Sequence, residues 1–160
     1  MIAKTNAMRA LDQRRIAYTA FTFSPEIHSA DGVAQALGLP PSMVYKTLVV
    51  VRPRGRALLA LIAGDRELDL RLLARSLGEK SLDMASHRQA EAMTGLLVGG
   101  ISALALLNKG FDVVIDQSAL KLEEVLVSAG QRGINLRLRV ADLVAVTGAR
   151  AVEASAETSA

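Results

Sequence analysis

Cysteine is absent from the 160 residues of this chain, which excludes disulfide bonds, thiolate metal ligands and a cysteine nucleophile. Histidine is scarce as well, because only His28 and His87 could supply an imidazole ligand. A histidine-rich metal site therefore has too few ligands, and we predict neither a bound metal nor another cofactor. Aromatic residues make up only 3% of the chain, so a sheet that stacks RNA bases on aromatic rings is not expected.

Long apolar runs and a strong charge of one sign are also missing. The run ALLALIAG is far too short to cross a bilayer, and the N-terminal MIAKTNAMRAL lacks the apolar core of a signal peptide. We therefore expect a cytoplasmic protein with no membrane partner. Nineteen Lys and Arg residues stand against sixteen Asp and Glu residues, and the net charge of +3 permits an anionic partner without requiring one.

Hydrophobic residues make up 51% of the chain, in segments with helical or strand periodicity. Helical spacing with capping residues predicts helices in segments 5–15, 29–38, 68–78, 86–95 and 140–148. Strand patterns occur in segments 18–23, 46–52, 57–64, 111–116, 124–130 and 134–139, of which the second and third should form a hairpin. We expect one α/β domain with a mixed sheet over residues 1–150, followed by a small polar tail, 151–160, that frays.

The stretch TGLLVGGISAL interrupts this pattern with two adjacent glycines, Gly99 and Gly100. No P-loop, no G-x-G-x-x-G fingerprint and no G-x-S-x-G elbow occurs in the sequence. The pair has two interpretations. It is either a bend or bulge in a strand, or a place where a ligand approaches the backbone closely and receives hydrogen bonds from its N–H groups.

Three other positions could carry chemistry, and each has an ordinary structural alternative. Lys46 opens a buried strand, where its ammonium could hold a phosphate or polarise a carbonyl, although most lysines are simply solvated. Arg132 lies in the glycine turn SAGQRG and could clamp a phosphate, although such a turn needs no ligand. His28 could contact a substrate, although a lone histidine is usually an ordinary surface or core residue.

Four motifs occur in order along the chain: ALGLPPSMVYKTLVV, AGDRELDL, TGLLVGGIS and VSAGQRG. Together they resemble the YbaK/proline-tRNA-synthetase-associated family of aminoacyl-tRNA deacylases, over about residues 5–148. The resemblance implies a single compact YbaK-like α/β domain with a mixed, curved sheet and surrounding helices. It also implies an activity: the removal of wrongly attached amino acids, such as Cys or Ala, from tRNA, often tRNA(Pro), by a free-standing editing factor without a cofactor.

The resemblance further implies which residues form the site. The family lysine falls on Lys46, and the family glycine pair falls on Gly99 and Gly100, which would surround the aminoacyl ester at the tRNA 3′ end. The attacking group would be a water molecule or the misattached amino acid's own side chain, and a protein nucleophile is not required. Substrate contacts are expected from Phe23, His28, Thr47, Ile101, Ser102, Ser128, Gly130, Arg132 and Asn135.

Three departures from the family pattern fall in these motifs. Ala103 stands where many relatives have proline, Asn135 where many cysteine-removing relatives have an acid, and Phe23 where relatives can have tyrosine. The sequence therefore indicates the reaction more strongly than the amino acid that is removed.

Two alternatives to the enzyme stay open. One is a non-catalytic module of the same fold that holds tRNA or a synthetase, with proline-tRNA synthetase as the candidate partner. The other is a structural domain with no nucleic-acid partner.

Overall fold

The computed structural model describes residues 3–158, and within them five α-helices of eight residues each occur where helices are predicted. Side-chain oxygens of Thr5, Ser29, Asp69 and Ser86 accept the first free backbone N–H groups of four of the helices, and a terminal glycine ends all but the first. None of the helices in this part of the chain has the length and apolar composition needed to cross a bilayer. The helices are α1 (Asn6–Gln13), α2 (Ala30–Leu37), α3 (Leu70–Leu77), α4 (His87–Thr94) and α5 (Val140–Thr147).

The larger sheet forms around the predicted hairpin. Strand β2 (Tyr45–Val51) pairs antiparallel with β3 (Leu58–Ala63), whose six residues are all buried. The other edge of β3 pairs in parallel with β6 (Asp112–Asp116), and β6 pairs in parallel with β9 (Arg150–Val152). The two-residue strand β5 (Asp83–Met84) pairs antiparallel with the end of β2. The sheet is therefore mixed, with the order β5-β2-β3-β6-β9, and apolar clusters cover both of its faces.

A second, antiparallel sheet is formed by β1 (Thr19–Thr22), β8 (Ile134–Arg139) and β7 (Glu124–Ser128). The alternation in β8 confirms the predicted two faces. Ile134, Leu136 and Leu138 join the main core with side chains of the larger sheet, α1 and α5, whereas Arg137 and Arg139 are not fully buried.

The two sheets meet at one isolated parallel bridge, between Val44 and Leu126. Val44 directly precedes β2, and Leu126 lies in the middle of β7. In the described part of the chain, no residue of β2 itself pairs with a strand of the second sheet. This junction opens the space in which the candidate site lies.

The C-terminal segment differs from the predicted fraying tail. Residues 150–157 form β9 and β10 (Ser155–Glu157), and β10 pairs antiparallel with β4 (Arg66–Leu68). Ala154 is fully buried, and its N–H donates to a carboxylate oxygen of Asp116 at 2.9 Å. The segment is ordered because distant strands supply its hydrogen bonds, while its small side chains carry no hydrophobic periodicity that a sequence pattern could report. Residues 159–160 of the predicted tail lie outside the described residues.

Candidate functional site

A cavity of about 250 Å³ lies beside β2, where the two sheets separate. Its walls come from β2, from the facing ends of β7 and β8, from the start of α2, from β5 with α4, and from the loop that carries the glycine pair. Seven of the predicted site residues line it: His28, Lys46, Thr47, Gly99, Ile101, Ser128 and Asn135. The fold therefore brings together segments that are more than a hundred residues apart in the chain.

Lys46 reaches this cavity from the second position of β2, where its backbone is paired opposite Ile62 of β3. Its side chain is half-buried, and its ammonium forms neither an ion pair nor a hydrogen bond with any of residues 3–158. The strand fixes the start of the side chain, while the charged end keeps its capacity to donate. Such a cation can bind a carbonyl oxygen or a phosphate oxygen.

The residue before the lysine anchors this end of β2. The buried hydroxyl of Tyr45 and the hydroxyl of Ser118 are 2.7 Å apart, and the Ser118 N–H donates to Asp116 at 3.2 Å. Burial raises the pKa of the Tyr45 phenol. Burial also acts to raise the pKa of the Asp116 carboxyl, but hydrogen bonds from Ser118, Ala154 and Ser155 outweigh it and hold that pKa below its usual value. At neutral pH the phenol is therefore neutral and the carboxylate ionised, and their hydrogen bonds to Ser118 anchor the residue that precedes Lys46.

Asn135 supplies an unused amide at the opposite wall. It lies on β8 between Phe21 of β1 and Ser128 of β7, and it is only 5% exposed. Its side chain lines the cavity and forms no hydrogen bond with any of residues 3–158, whereas the Ser128 hydroxyl accepts the N–H of Gly130 at 3.1 Å. Although the residue as a whole is buried, its amide atoms remain accessible from the cavity, where a polar ligand group or water can reach them.

The glycine pair forms a tight turn rather than a bend in a strand. The Gly100 N–H donates to the Leu97 carbonyl at 2.8 Å, so this N–H is not available to a ligand. Gly99 has a φ of +93° and lines the cavity, and a Cβ at this position would lie 3.1 Å from the Cα of His28. Within residues 3–158 no backbone or side-chain acceptor takes the Gly99 N–H. Of the two glycines, Gly99 is therefore the one that offers a free donor.

The other predicted site residues lie behind the cavity wall. A Cβ on Gly100 would come within 2.9 Å of the Arg132 backbone nitrogen, and a Cβ on Gly130 within 2.9 Å of Ala105. Ser102 is almost completely buried, and its hydroxyl accepts the N–H of Ala105. Arg132 donates from Nε to the Val98 carbonyl at 2.7 Å. These residues shape the glycine turn from outside the cavity.

Phe23 also lies away from the cavity, at the end of β1. Its N–H donates to the Gly133 carbonyl at 3.0 Å, and its ring packs with the apolar cluster around α2. Its contacts are with the neighbouring chain segments rather than with the space that a ligand would occupy.

The cavity is also lined by residues outside the predicted site, among them Asp31, Met84, Val98 and His87. Asp31 lies in the first turn of α2, three positions after His28. Because His28 was a predicted site residue, this short separation in the sequence could have indicated that Asp31 lies at the site as well. Met84 and His87 arrive with β5 and α4, and only the pairing of β5 with β2 brings them to the site. Among residues 3–158, no three His, Cys, Asp or Glu side chains are close enough together to hold a metal ion.

A family model and a similar protein both relate this chain to aminoacyl-tRNA editing proteins. The family described as "Aminoacyl-tRNA editing domain" matches residues 24–146, a range that includes every residue of the cavity. A protein of Enterococcus faecalis named "Putative Cys-tRNA(Pro)/Cys-tRNA(Cys) deacylase EbsC" is 35% identical over 152 residues, which cover 94% of this chain and 92% of that protein.

A solved structure and a larger enzyme show the same similarity. The structure of "a putative trans-editing enzyme for prolyl tRNA synthetase" superposes with a TM-score of 0.81 at 26% identity, over 97% of this chain and 99% of that one. A proline–tRNA ligase of Nitratidesulfovibrio vulgaris is 42% identical over 76 residues, but these cover 48% of this chain and only 13% of the ligase. The similarity to the ligase therefore concerns one small part of that enzyme.

Proposed function

This chain belongs to the aminoacyl-tRNA editing domain family, and on that premise we propose that it hydrolyses the ester bond of mischarged aminoacyl-tRNA in trans. One observation carries the proposal. Lys46 and Gly99 line the same small cavity, and neither the Lys46 ammonium nor the Gly99 N–H has a hydrogen-bond partner among residues 3–158. Two such donors suit a carbonyl oxygen that becomes negative during the reaction.

The chemistry needs no protein nucleophile. The oxygen of a water molecule attacks the ester carbonyl carbon, the bond from that carbon to the ribose oxygen breaks, and the ribose oxygen takes up a proton from the water. The products are the free amino acid and uncharged tRNA. Negative charge develops on the carbonyl oxygen, where the Gly99 N–H and the Lys46 ammonium would stabilise it. The remaining contribution is the positioning of the ester against the backbone, which glycine permits because it has no side chain.

The cavity suits a small aminoacyl group. Its volume of about 250 Å³ is below the range usual for sites that hold drug-sized ligands, so a small aminoacyl group fits it better than a whole nucleotide does. Asp31 can pair with the α-ammonium of the amino acid, and the apolar lining from Val33, Val44 and Ile101 can receive a short side chain. The relative EbsC is named for Cys-tRNA(Pro) and Cys-tRNA(Cys), which supports Cys as the amino acid that is removed. The family resemblance adds Ala, so the proposed substrates are tRNA(Pro) charged with Cys or Ala.

The proposed partner is the 3′ end of the mischarged tRNA, which makes the cytoplasm the expected location. Proline-tRNA synthetase is the candidate protein partner, because part of such a ligase resembles this chain. Any such contact would supply the substrate rather than a catalytic group, since the proposed donors all belong to this chain.

A deacylation panel tests both the reaction and its specificity. We expect release of Cys and Ala from tRNA(Pro), slower release of Ser, and little release of Pro or of Phe from tRNA(Phe). The discrimination between neighbouring small side chains should be modest, because one methylene group in an apolar pocket is worth about 1–3 kcal/mol. The measurement is the first-order loss of each labelled aminoacyl ester, with the rate in buffer alone subtracted.

Two results would contradict this proposal in different ways. Rapid loss of Phe with intact Cys and Ala esters would show that the pocket is not built for small side chains. Retention of charged tRNA without loss of any ester would instead indicate a binding module, and its affinity should then fall steeply with salt, as phosphate contacts do.

Hydrolysis should not depend on a metal ion. We expect the rate on the best substrate of the panel to stay within about twofold after exhaustive dialysis against EDTA, because positioning and hydrogen bonding suffice for an activated ester. Elemental analysis of the purified protein should find less than stoichiometric zinc. Loss of activity that added zinc restores would overturn this prediction.

A further inference from the structure

We infer that Arg132 and Glu91 are positioning residues that fix the peptide between Val98 and Gly99, so that the Gly99 N–H faces the cavity. The inference deepens the proposed function, on which it rests, because it concerns how the oxyanion donor is oriented. It assigns Arg132 a role through its Nε hydrogen bond rather than through contact of its charge with a phosphate.

Val98 is held on both sides of its backbone. Its N–H donates to a carboxylate oxygen of Glu91 at 2.9 Å, and its carbonyl accepts from Nε of Arg132 at 2.7 Å. Glu91 belongs to α4, and Arg132 belongs to the turn between β7 and β8. Two separate elements thus hold a single residue of the glycine turn, although neither Glu91 nor Arg132 lines the cavity.

Holding the Val98 carbonyl also orients the next N–H. The carbonyl of Val98 and the N–H of Gly99 belong to the same planar trans peptide, in which they point in opposite directions. With the carbonyl directed at Arg132 behind the wall, the N–H is directed to the other side. Gly99 lines the cavity on that side and lies against His28.

These contacts are incompatible with the alternative conformation that a glycine turn of this kind can adopt. Residues Leu97 to Gly100 form a four-residue turn closed by the Gly100 N–H on the Leu97 carbonyl, and Val98–Gly99 is its central peptide. The φ of +93° at Gly99 is that of a type II turn. A type I turn keeps the same closing bond but reverses the central peptide, and glycine adopts both readily. Reversal would direct the Gly99 N–H away from the cavity and break the bond to Arg132.

The backbone of the turn between β7 and β8, which carries Arg132, also supports this arrangement. A Cβ at Gly100 would come within 2.9 Å of the Arg132 nitrogen and 3.1 Å of the Gln131 carbonyl carbon, so the two turns are in direct backbone contact. The Arg132 side chain therefore starts close to the carbonyl that it binds, and a short, fixed contact results.

Isosteric substitutions separate the positioning role from a role of the charge. In Arg132→Gln the amide nitrogen takes the place of Nε, so the hydrogen bond to Val98 survives while the charge is lost. In Arg132→Met both are lost, and the side chain keeps a similar length. Glu91→Gln keeps an acceptor for the Val98 N–H, and Glu91→Met removes it. Arg71→Met, on the exposed side of α3, is the matched control for loss of an arginine charge.

The readouts are the single-turnover rate on saturating Cys-tRNA(Pro) or Ala-tRNA(Pro) and the KM for that tRNA. We expect Arg132→Met to lower the rate about tenfold with little change in KM, because a misplaced donor weakens only the transition state. The rate of Arg132→Gln should stay within about threefold of wild type. Of the two Glu91 variants, Glu91→Met should likewise be slower than Glu91→Gln, with a smaller difference between their rates. Equal losses in Gln and Met with a raised KM would overturn the inference in favour of a charge contact.

A second measurement needs neither substrate nor activity. In ¹H–¹⁵N spectra, the Gly99 amide should keep its wild-type position in Arg132→Gln and should shift or double in Arg132→Met, as the central peptide samples both turns. An unchanged Gly99 amide in folded Arg132→Met would refute the inference. If the wild type cleaves neither ester, the proposed function fails by itself, and the spectra still decide whether Arg132 orients the peptide. If Arg132→Met does not fold, the same rates and spectra are compared between Glu91→Gln and Glu91→Met.

Discussion

Replacement of Lys46 by alanine is expected to lower the single-turnover rate of deacylation by roughly 10- to 150-fold, with almost no change in the melting temperature. A charge-assisted hydrogen bond from the ammonium to the substrate is worth about 1.5–3 kcal/mol, which converts to that range of rates. The stability should hold because the Lys46 side chain makes no ion pair or hydrogen bond with residues 3–158, and because β2 is kept in place by its pairing with β3 and by Tyr45.

Two further lysine variants make this prediction specific. Lys46→Arg should recover only part of the rate, since the planar guanidinium donates in a different geometry. Lys80→Ala, at an exposed position after α3, removes the same charge away from the cavity and should keep the wild-type rate. A folded Lys46→Ala protein with the wild-type rate would show that this lysine is merely solvated and would remove it from the site.

Replacement of Gly99 by alanine is expected to lower the rate by about 100-fold, because a small displacement of an oriented donor is costly in catalysis. The new Cβ would lie 3.1 Å from both Cα and Cβ of His28, so either the turn or the His28 segment must move. The φ of +93° adds backbone strain, and the type I turn that relieves it directs the Gly99 N–H away from the cavity.

Gly55 provides the matched control for the strain. It has the same φ of +93°, in the connection between β2 and β3, and a Cβ there would meet nothing within 4 Å. Gly55→Ala should therefore lower the melting temperature through the φ strain alone, by less than Gly99→Ala, which adds the contact with His28, and it should leave the rate unchanged. Comparable losses of rate in both variants would mean that Gly99 acts through general stability, and a normal rate in Gly99→Ala would exclude its N–H as the oxyanion donor.

The elements that could be predicted are those whose signals are local. The caps at Ser29 and Asp69 and the capping box of Ser86 with Gln89 define helix ends within a few residues of chain. The hairpin of β2 and β3 follows from two apolar runs that are joined by a short turn. Strands β4 and β9, in contrast, have three residues each and depend on partners elsewhere in the chain, so no pattern of their own indicates them.

The candidate site divides in the same way. The motifs pointed to Lys46 and Gly99, and both line the cavity, but a motif could not show which glycine N–H is already used within the turn. Arg132 was expected to contact substrate because of its charge and its place in a glycine turn. Its partner, the Val98 carbonyl, is 34 residues away, and its contact depends on how two loops meet.

The sequence by itself determined the aliphatic core, the five capped helices, the buried hairpin and the motifs that identify the editing family, because each depends on residues that are neighbours in the chain or one face of one element. Only the tertiary structure decided that β2 and β7 separate after the Val44–Leu126 bridge, and that Lys46, Gly99 and Asn135 surround the resulting space. Only the tertiary structure also decided that the C-terminal segment forms strands. Buried backbone groups must find hydrogen-bond partners, and for residues 150–157 those partners lie in distant strands.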